Sequence, residues 1–171
     1  RTKDNRTIQA EIVGFKGNKI LMMPFGEIMG ISPGSPVSVN SQPMNIPVGD
    51  QLLGRIIDGM GNPIDGKGPI TGTKSQPVYN VPPDPLDRKR ITEVMSTGIR
   101  SIDGFLTLGK GQRIGIFSGS GIGKSVLLGM ISRFTSAEVN VIALIGERGR
   151  EVREFIERDL GPEGLKRSVV I

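Results

Sequence analysis

Cysteine and histidine are both absent from this chain of 171 residues. Without cysteine there is no disulfide and no thiolate metal site; without histidine the commonest metal ligand and general base are missing. Any catalysis therefore falls to carboxylates, lysine, arginine or hydroxyls. Tryptophan is absent too, tyrosine occurs once and aromatics make up 4%, so the stacking platform that grips single-stranded nucleic acid cannot be assembled. No apolar run reaches the roughly 18 residues that a membrane helix needs, and the first residues carry no signal-peptide pattern. With nothing directing the chain through a membrane, the cytoplasm is the expected compartment.

What is present describes a globular chain. Hydrophobic residues make up 36% and charged residues 23%, and the length suffices for one ordinary domain or a small domain plus part of a larger one. The net charge is +5, a sign that suits phosphate-backbone binding, yet the basic residues are spread along the chain and form no stripe; nucleic acid is not an expected partner. The 25 glycines and 12 prolines are interleaved with apolar residues, which predicts tight turns and short strands instead of disorder.

From Thr7 to Val39 the pattern is strand and turn. Ile8, Ala10 and Ile12 alternate with polar residues, Lys16-Gly17-Asn18 makes a turn and Ile20 to Met23 runs apolar, which predicts a hairpin. Further short strands are expected at Ile28 to Ile31 and Val37 to Val39, giving part of a small β-barrel with Met22 and Met23 in its core. A proline-bearing loop from Ser41 to Pro47 precedes a strand expected at Leu52 to Asp58 and the turn Gly59-Met60-Gly61-Asn62-Pro63. The domain boundary is placed there, with residues 1–46 as the partial barrel and 47–171 as a second domain. Between Gly66 and Arg90, Pro77, Pro82, Pro83 and Pro85 hold the chain extended as a surface segment pinned by Val78, Tyr79 and Val81.

Chemistry concentrates further on. Ile99, Ile102 and Leu106 fall on one side of a short amphipathic turn, and Arg113 to Phe117 reads as a buried strand. Ser118-Gly119-Ser120-Gly121-Ile122-Gly123-Lys124-Ser125 follows. It matches the phosphate-binding P-loop pattern except that Ser118 stands where the first glycine belongs. Glycines let successive N–H groups turn toward an anion, lysine supplies a point charge, and Ser125 offers a hydroxyl to Mg²⁺. Leu127, Met130, Ile131 and Phe134 recur at helical spacing from Lys124 to about Thr135, and Val139 to Ile145 is a nearly continuous apolar run, expected as a parallel strand covered on both faces. Strand, loop, helix and strand make a βαβ unit, so a nucleoside triphosphate is the expected ligand, with the helix dipole adding to the anion site.

At the carboxyl end of that last strand, where open parallel sheets bind ligands, stands Gly146-Glu147-Arg148-Gly149-Arg150-Glu151. Two readings of Glu147 stand side by side. It holds the water that attacks the γ-phosphate, with Arg148 or Arg150 neutralising phosphoryl charge, or it is an acid at the start of the helix marked by Val152, Phe155, Ile156 and Leu160 and ended by Gly161-Pro162. Arg153, Glu154, Glu157, Arg158 and Asp159 on that helix read as a solvated face.

Arg113 to Met130, Ala143 to Val152 and Thr97 to Leu106 together resemble the ATPases of bacterial type III protein export, relatives of the rotary ATP synthase subunits. The resemblance extends to Met23-Pro24-Phe25-Gly26, Ile31-Ser32-Pro33-Gly34, Leu52 to Asp58 and Pro82-Pro83-Asp84-Pro85-Leu86, hence to nearly the whole chain. Gly119 to Met130 and Leu160 to Ile171 are most similar to the flagellar branch, with the virulence-injectisome branch next.

The resemblance implies an α/β fold: a RecA-like P-loop NTPase core, incomplete here, preceded by part of a small N-terminal β-barrel domain. It implies a homohexameric ATPase of the flagellar export apparatus that uses ATP and Mg²⁺ to unfold or hand over export substrates. The implied partners are stator and coiled-coil proteins, an export gate and substrate chaperones, with peripheral association at the inner membrane through them. Lys124 and Ser125 map to the phosphate lysine and the Mg²⁺ hydroxyl, Glu147 to the catalytic carboxylate and Arg148 to a γ-phosphate contact, and Val126 completes the expected nucleotide-binding set that begins at Ser118. In non-catalytic rotary subunits the Glu147 position is not a glutamate, so a catalytic subunit is expected, although Ser118 departs from the Gly or Ala usual in the family. A rotary ATP synthase catalytic subunit and a nucleotide-dependent assembly module without turnover are the alternatives. The chain is expected to be truncated at both ends and inactive in isolation, with the second Mg²⁺-holding carboxylate, the adenine-stacking aromatic, the trans-acting arginine and a C-terminal helical domain beyond Ile171.

Overall fold

The computed structural model describes residues 6–40, 43–119 and 121–171, and the chain divides between residues 42 and 43 into two compact units. In the first, strand β1 (Ala10–Lys16) pairs antiparallel with β2 (Lys19–Pro24) across the expected Gly17-Asn18 turn. The register passes from Ile12 opposite Met22 to Gly14 opposite Leu21. Val13 is therefore an extra residue in β1, a bulge that bends and twists the hairpin. The two further strands expected at Ile28–Ile31 and Val37–Val39 do not form: those residues run as turns and irregular chain. Ile31 N–H donates to the Ile28 carbonyl and Ser35 N–H to that of Ser32, and Gly30 and Gly34 both sit at φ 87°. A left-handed glycine every few residues interrupts any extended run long enough to pair. Met22 and Met23, expected in a barrel core, are exposed among the described residues.

In the second unit, β3 (Asn45–Val48) and β4 (Lys74–Pro77) form an antiparallel pair, so the proline-rich region begins as a strand and only then continues as extended chain and a single 3₁₀ turn at Pro85–Asp87. The strand expected at Leu52–Asp58 is replaced by a 3₁₀ turn, Asp50–Leu52, and a short extended stretch. Its residues nevertheless join the sheet edge. Ile57 N–H donates to the Val170 carbonyl and Val170 N–H to that of Arg55, so residues 55–57 lie parallel to β6 (Ser168–Val170) on one side while β5 (Asn140–Ile142) lies parallel on the other. An ion pair fixes this stretch: Arg55 Nε donates to Asp65 Oδ2 at 2.6 Å, and Asp65, with its side chain 2% exposed, also accepts the N–H of Ile56 and of Lys67.

β6 is the centre of the unit, and its three residues are all buried. Because successive strand side chains point to opposite faces, Val169 packs with Leu52 and Ile57, whereas Val170 packs with Ile142, Phe155 and Leu160. Each such side chain contributes about 1.5–3 kcal/mol when fully buried. Helix α1 (Arg100–Phe105) precedes the glycine-rich region and α2 (Lys124–Phe134) follows it, α2 beginning at the residue expected. Its buried positions are Gly129 and Ser132, with Leu128 against the Phe155 cluster, while Phe134, expected on the apolar face, is exposed. The face is rotated because small residues allow the closest approach of the next helix. That helix, α3 (Gly149–Glu154), continues without a break into a π-helical segment, Phe155–Leu160. Gly161, at φ 64°, then turns the chain into α4 (Gly161–Lys166), a helix that the Gly161-Pro162 stop signal had hidden.

Two strand expectations need correction. Residues 113–117 form no strand and pair with nothing among the described residues, and Phe117 is 96% exposed. Alternating apolar residues specify an extended chain; they do not supply the neighbour that makes it a sheet strand. β5 is also covered on one face only, since Ile142 is buried and Val141 is 68% exposed. A continuous apolar run predicts two covered faces, whereas packing here reaches one.

Candidate phosphate-binding site

Gly121 and Gly123 adopt φ of 79° and 93°, conformations that residues with a Cβ rarely hold, and both have open space where a Cβ would project. The chain therefore curls immediately before Lys124, the first residue of α2, and the N-cap residue, Gly123, has no side chain to cap the free N–H groups of that helix. Ser118 and Gly119 are exposed and irregular before the curl, Ile122 and Val126 are exposed, and Ser120 lies outside the described residues.

Across from this curl, β5 delivers the chain to Glu147, two residues before α3 begins. Lys124 Nζ lies 3.7 Å from Glu147 Oε1. Together they flank a recess whose floor is Leu128, Leu144, Val152 and Phe155 and whose rim carries Lys124, Ser125, Glu147 and Glu151. Residues far apart in the chain thus meet because α2 and the α3–π helix pack on each other and share the Phe155–Leu160–Val170 core.

Arg148 stands at the N-cap of α3, largely exposed, with Nη1 3.4 Å from Glu151 Oε1; neither it nor Arg150 lines the recess. The geometry brings Lys124, Ser125 and Glu147 together and leaves Arg148 outside, reachable by rotation of an exposed side chain. Glu151 was not singled out as a site residue. Its only signal is nearness in the chain to Glu147: Glu151 sits in the first turn of α3 and lines the same recess. Nor were the apolar floor residues singled out, since a nearly continuous apolar run does not say which members face a ligand.

The rim has a definite chemical character. A lysine, a serine hydroxyl and exposed helix N–H groups bind phosphate oxygens, and a hydroxyl beside carboxylates suits a hard cation that keeps waters and phosphate among its ligands. No group of three or more acidic side chains able to hold a metal unaided occurs among the described residues, so Mg²⁺ fits here only together with a phosphate ligand. No helix among them is long and apolar enough to cross a membrane.

Comparison with known proteins gives a consistent result. Residues 98–171 match the nucleotide-binding domain of the ATP synthase alpha/beta family and residues 1–39 match its beta-barrel domain. The chain is 53% identical over 169 residues to the flagellum-specific ATP synthase of Bacillus subtilis, covering 99% of this chain and 39% of that protein. It is 51% identical over 172 residues to the type 3 secretion system ATPase of Xanthomonas euvesicatoria, covering 100% of this chain and 39% of that protein. Among solved structures it is similar to the assembled ATPase EscN of the enteropathogenic E. coli type III secretion system, with a TM-score of 0.82 and 41% identity over 99% of this chain and 41% of that one. EscN is also known in complex with its central stalk, EscO. The chain thus spans about two fifths of the length of the relatives it matches.

Proposed function

We propose, on the premise that this chain belongs to the ATP synthase alpha/beta family, that it forms the phosphate-binding half of an MgATP-hydrolysing motor subunit of type III protein export. The observation that carries this reading is the convergence of Lys124 and Glu147 at 3.7 Å over one recess. Lys124 and the N–H groups of the glycine curl hold the β- and γ-phosphates, and the Ser125 hydroxyl is the chain's own ligand toward Mg²⁺. The bound cation neutralises charge on the phosphate oxygens. Glu147 accepts a hydrogen bond from the attacking water and orients it, and Arg148 swings in from the rim to stabilise negative charge on the transferring phosphoryl group.

The nucleotide-binding set proposed is Ser118 to Val126, and the domain boundary proposed lies between residues 46 and 47. The working form proposed is a homohexamer with a coiled-coil partner, located in the cytoplasm at the inner membrane through its partners; the existence of EscN as an assembled ATPase and in complex with a central stalk supports an assembly of this kind. The flagellar branch is favoured by the match to the Bacillus subtilis protein, and a virulence-type secretion ATPase is the second reading, favoured by the Xanthomonas match of nearly equal identity. Genes adjacent to the coding sequence, flagellar or injectisome, decide between the two.

The test uses the full-length protein. Glu147→Gln is expected to lower ATP turnover by about 10²–10⁴-fold, the range of a lost acid–base group, while ATP binding persists; unchanged turnover refutes the catalytic role. Lys124→Ala is expected to weaken nucleotide binding itself, and equal affinity by calorimetry would refute the phosphate-loop reading.

A further inference from the structure

We propose that Gly129 is a positioning residue that sets the spacing between Lys124 and Glu147, because the two helices carrying the halves of the site meet at its missing side chain. This rests on the functional reading above and deepens it. Lys124 is the first residue of α2, and Gly129 lies five residues, about 7.5 Å, further along the same rigid helix. Glu147 leads directly into α3, which runs on as one helical rod to Leu160: Glu154 and Phe155 at the junction keep right-handed helical angles.

The rods touch where Gly129 faces Asp159. A Cβ at Gly129 would stand 2.6 Å from the Asp159 carbonyl oxygen, 2.7 Å from its carbonyl carbon and 2.8 Å from its Cβ. Two of these three atoms are backbone, so no rotamer change relieves the crowding. Reaching ordinary contact distance requires the helices to separate by about 1 Å. The same crossing is locked from both sides: Leu128 packs into the Phe155–Leu160 cluster, and Leu160 and Asp159 are buried. A displacement at Gly129 therefore passes along both rods to their site ends, where 3.7 Å separates Nζ from Oε1.

The consequence is a split between binding and turnover. Phosphate is gripped by groups that all belong to α2 and the curl before it, so they move together. Glu147 immediately precedes the other rod, two residues before α3 begins. Widening the crossing leaves the grip intact and withdraws the carboxylate from the attacking water.

Three measurements on the full-length protein test this: kcat for MgATP, Kd for MgADP by calorimetry, and the thermal midpoint. Gly129→Ala is expected to lower kcat by about 10²-fold, the cost of a 1 Å misplacement, with Kd unchanged. Gly164→Ala is the matched control, since its added methyl meets the side-chain atoms Leu160 Cδ1 at 2.7 Å and Arg133 Cγ at 3.0 Å; it is expected to lower the midpoint and spare kcat. Wild-type kcat per folded Gly129→Ala molecule, or Kd weakening in step with kcat, overturns the proposal. Should Gly129→Ala not fold, Glu147→Asp shortens the carboxylate's reach by one methylene in the native frame; the same loss of kcat at constant Kd supports the proposal, and wild-type turnover overturns it. If Glu147→Gln turns over normally, the catalytic reading fails separately. The crystallographic Lys124–Glu147 separation in Gly129→Ala then decides the spacing alone: a longer distance sustains it and an unchanged one overturns it.

Discussion

The carboxylate of Asp103 accepts both the backbone N–H and the hydroxyl of Thr97, each at 2.8 Å, and Thr97 is 1% exposed. Ser96 Oγ and the Gly98 N–H donate to the other oxygen, at 2.7 and 3.0 Å. One carboxylate thereby folds the Ser96–Gly98 loop, whose Ser96 carbonyl in turn accepts the N–H of Ser136 and the hydroxyl of Thr135 just past the end of α2.

A pH signature follows from this arrangement. The hydrogen bonds, that of the Thr97 N–H foremost, favour the charged form and hold Asp103 down to about 2, below the roughly 3.9 of a free aspartate. A depressed carboxylate stabilises the fold fully above its unfolded value and loses that contribution as pH falls toward the folded one. The stability gap between wild type and Asp103→Asn, read from urea midpoints, is expected to be constant from pH 7 to about pH 5 and to shrink between about pH 4 and pH 2.

Arg55 and Asp65 make the opposite kind of prediction, about partners instead of protons. Asp65 is held well below the ordinary carboxylate range, first by the Arg55 hydrogen bond and further by the Lys67 and Ile56 N–H groups. Asp65→Asn leaves a guanidinium beside Gly68 without its counter-charge, and removing one partner of a shielded pair is worse than removing both. In a double-mutant cycle, Asp65→Asn is expected to destabilise more than Asp65→Asn with Arg55→Met, read as thermal midpoints.

Leu160 is fully buried in the cluster with Ile142, Phe155 and Val170. Leu160→Ala is expected to cost about 2–5 kcal/mol and Phe155→Ala about 3–5 kcal/mol by denaturant unfolding. Of the two, Phe155 alone lines the recess proposed to hold phosphate, so Phe155→Ala alone is expected to weaken MgADP binding.

Ser125 stands on the rim beside Lys124. Ser125→Ala is expected to bind nucleotide almost equally with Mg²⁺ and with a chelator, whereas the native protein binds more tightly with the metal; paired calorimetric titrations read the difference. A preserved Mg²⁺ preference would remove the serine from the metal site.

Much of this was legible in residue order. Gly17-Asn18 between two apolar stretches specified the hairpin, and Gly123-Lys124 marked where α2 begins, because turns and helix starts depend on a few adjacent residues. Residues 113–117 and Val139 to Ile145 are less regular and less covered than their apolar pattern predicts, because an apolar run records a tendency to be covered and not which neighbour covers it. Val152, Phe155, Ile156 and Leu160 mark a helix as far as Leu160 without showing that its second half is π-helical, and α4 leaves no periodic trace, since Gly161-Pro162 reads locally as a stop.

The sequence by itself determined the chemical inventory. With no cysteine or histidine, the proposed phosphate chemistry is left to a glycine curl, a lysine, hydroxyls and carboxylates, and the loop's spacing binds the glycines, Lys124 and Ser125 to one turn. Only the tertiary structure decided that Lys124 and Glu147 share a recess. They are separated by a helix and a strand in the chain, and their 3.7 Å approach is set by how closely two helices pack at Gly129. That distance depends on volume excluded between elements distant in sequence, a property no local pattern encodes.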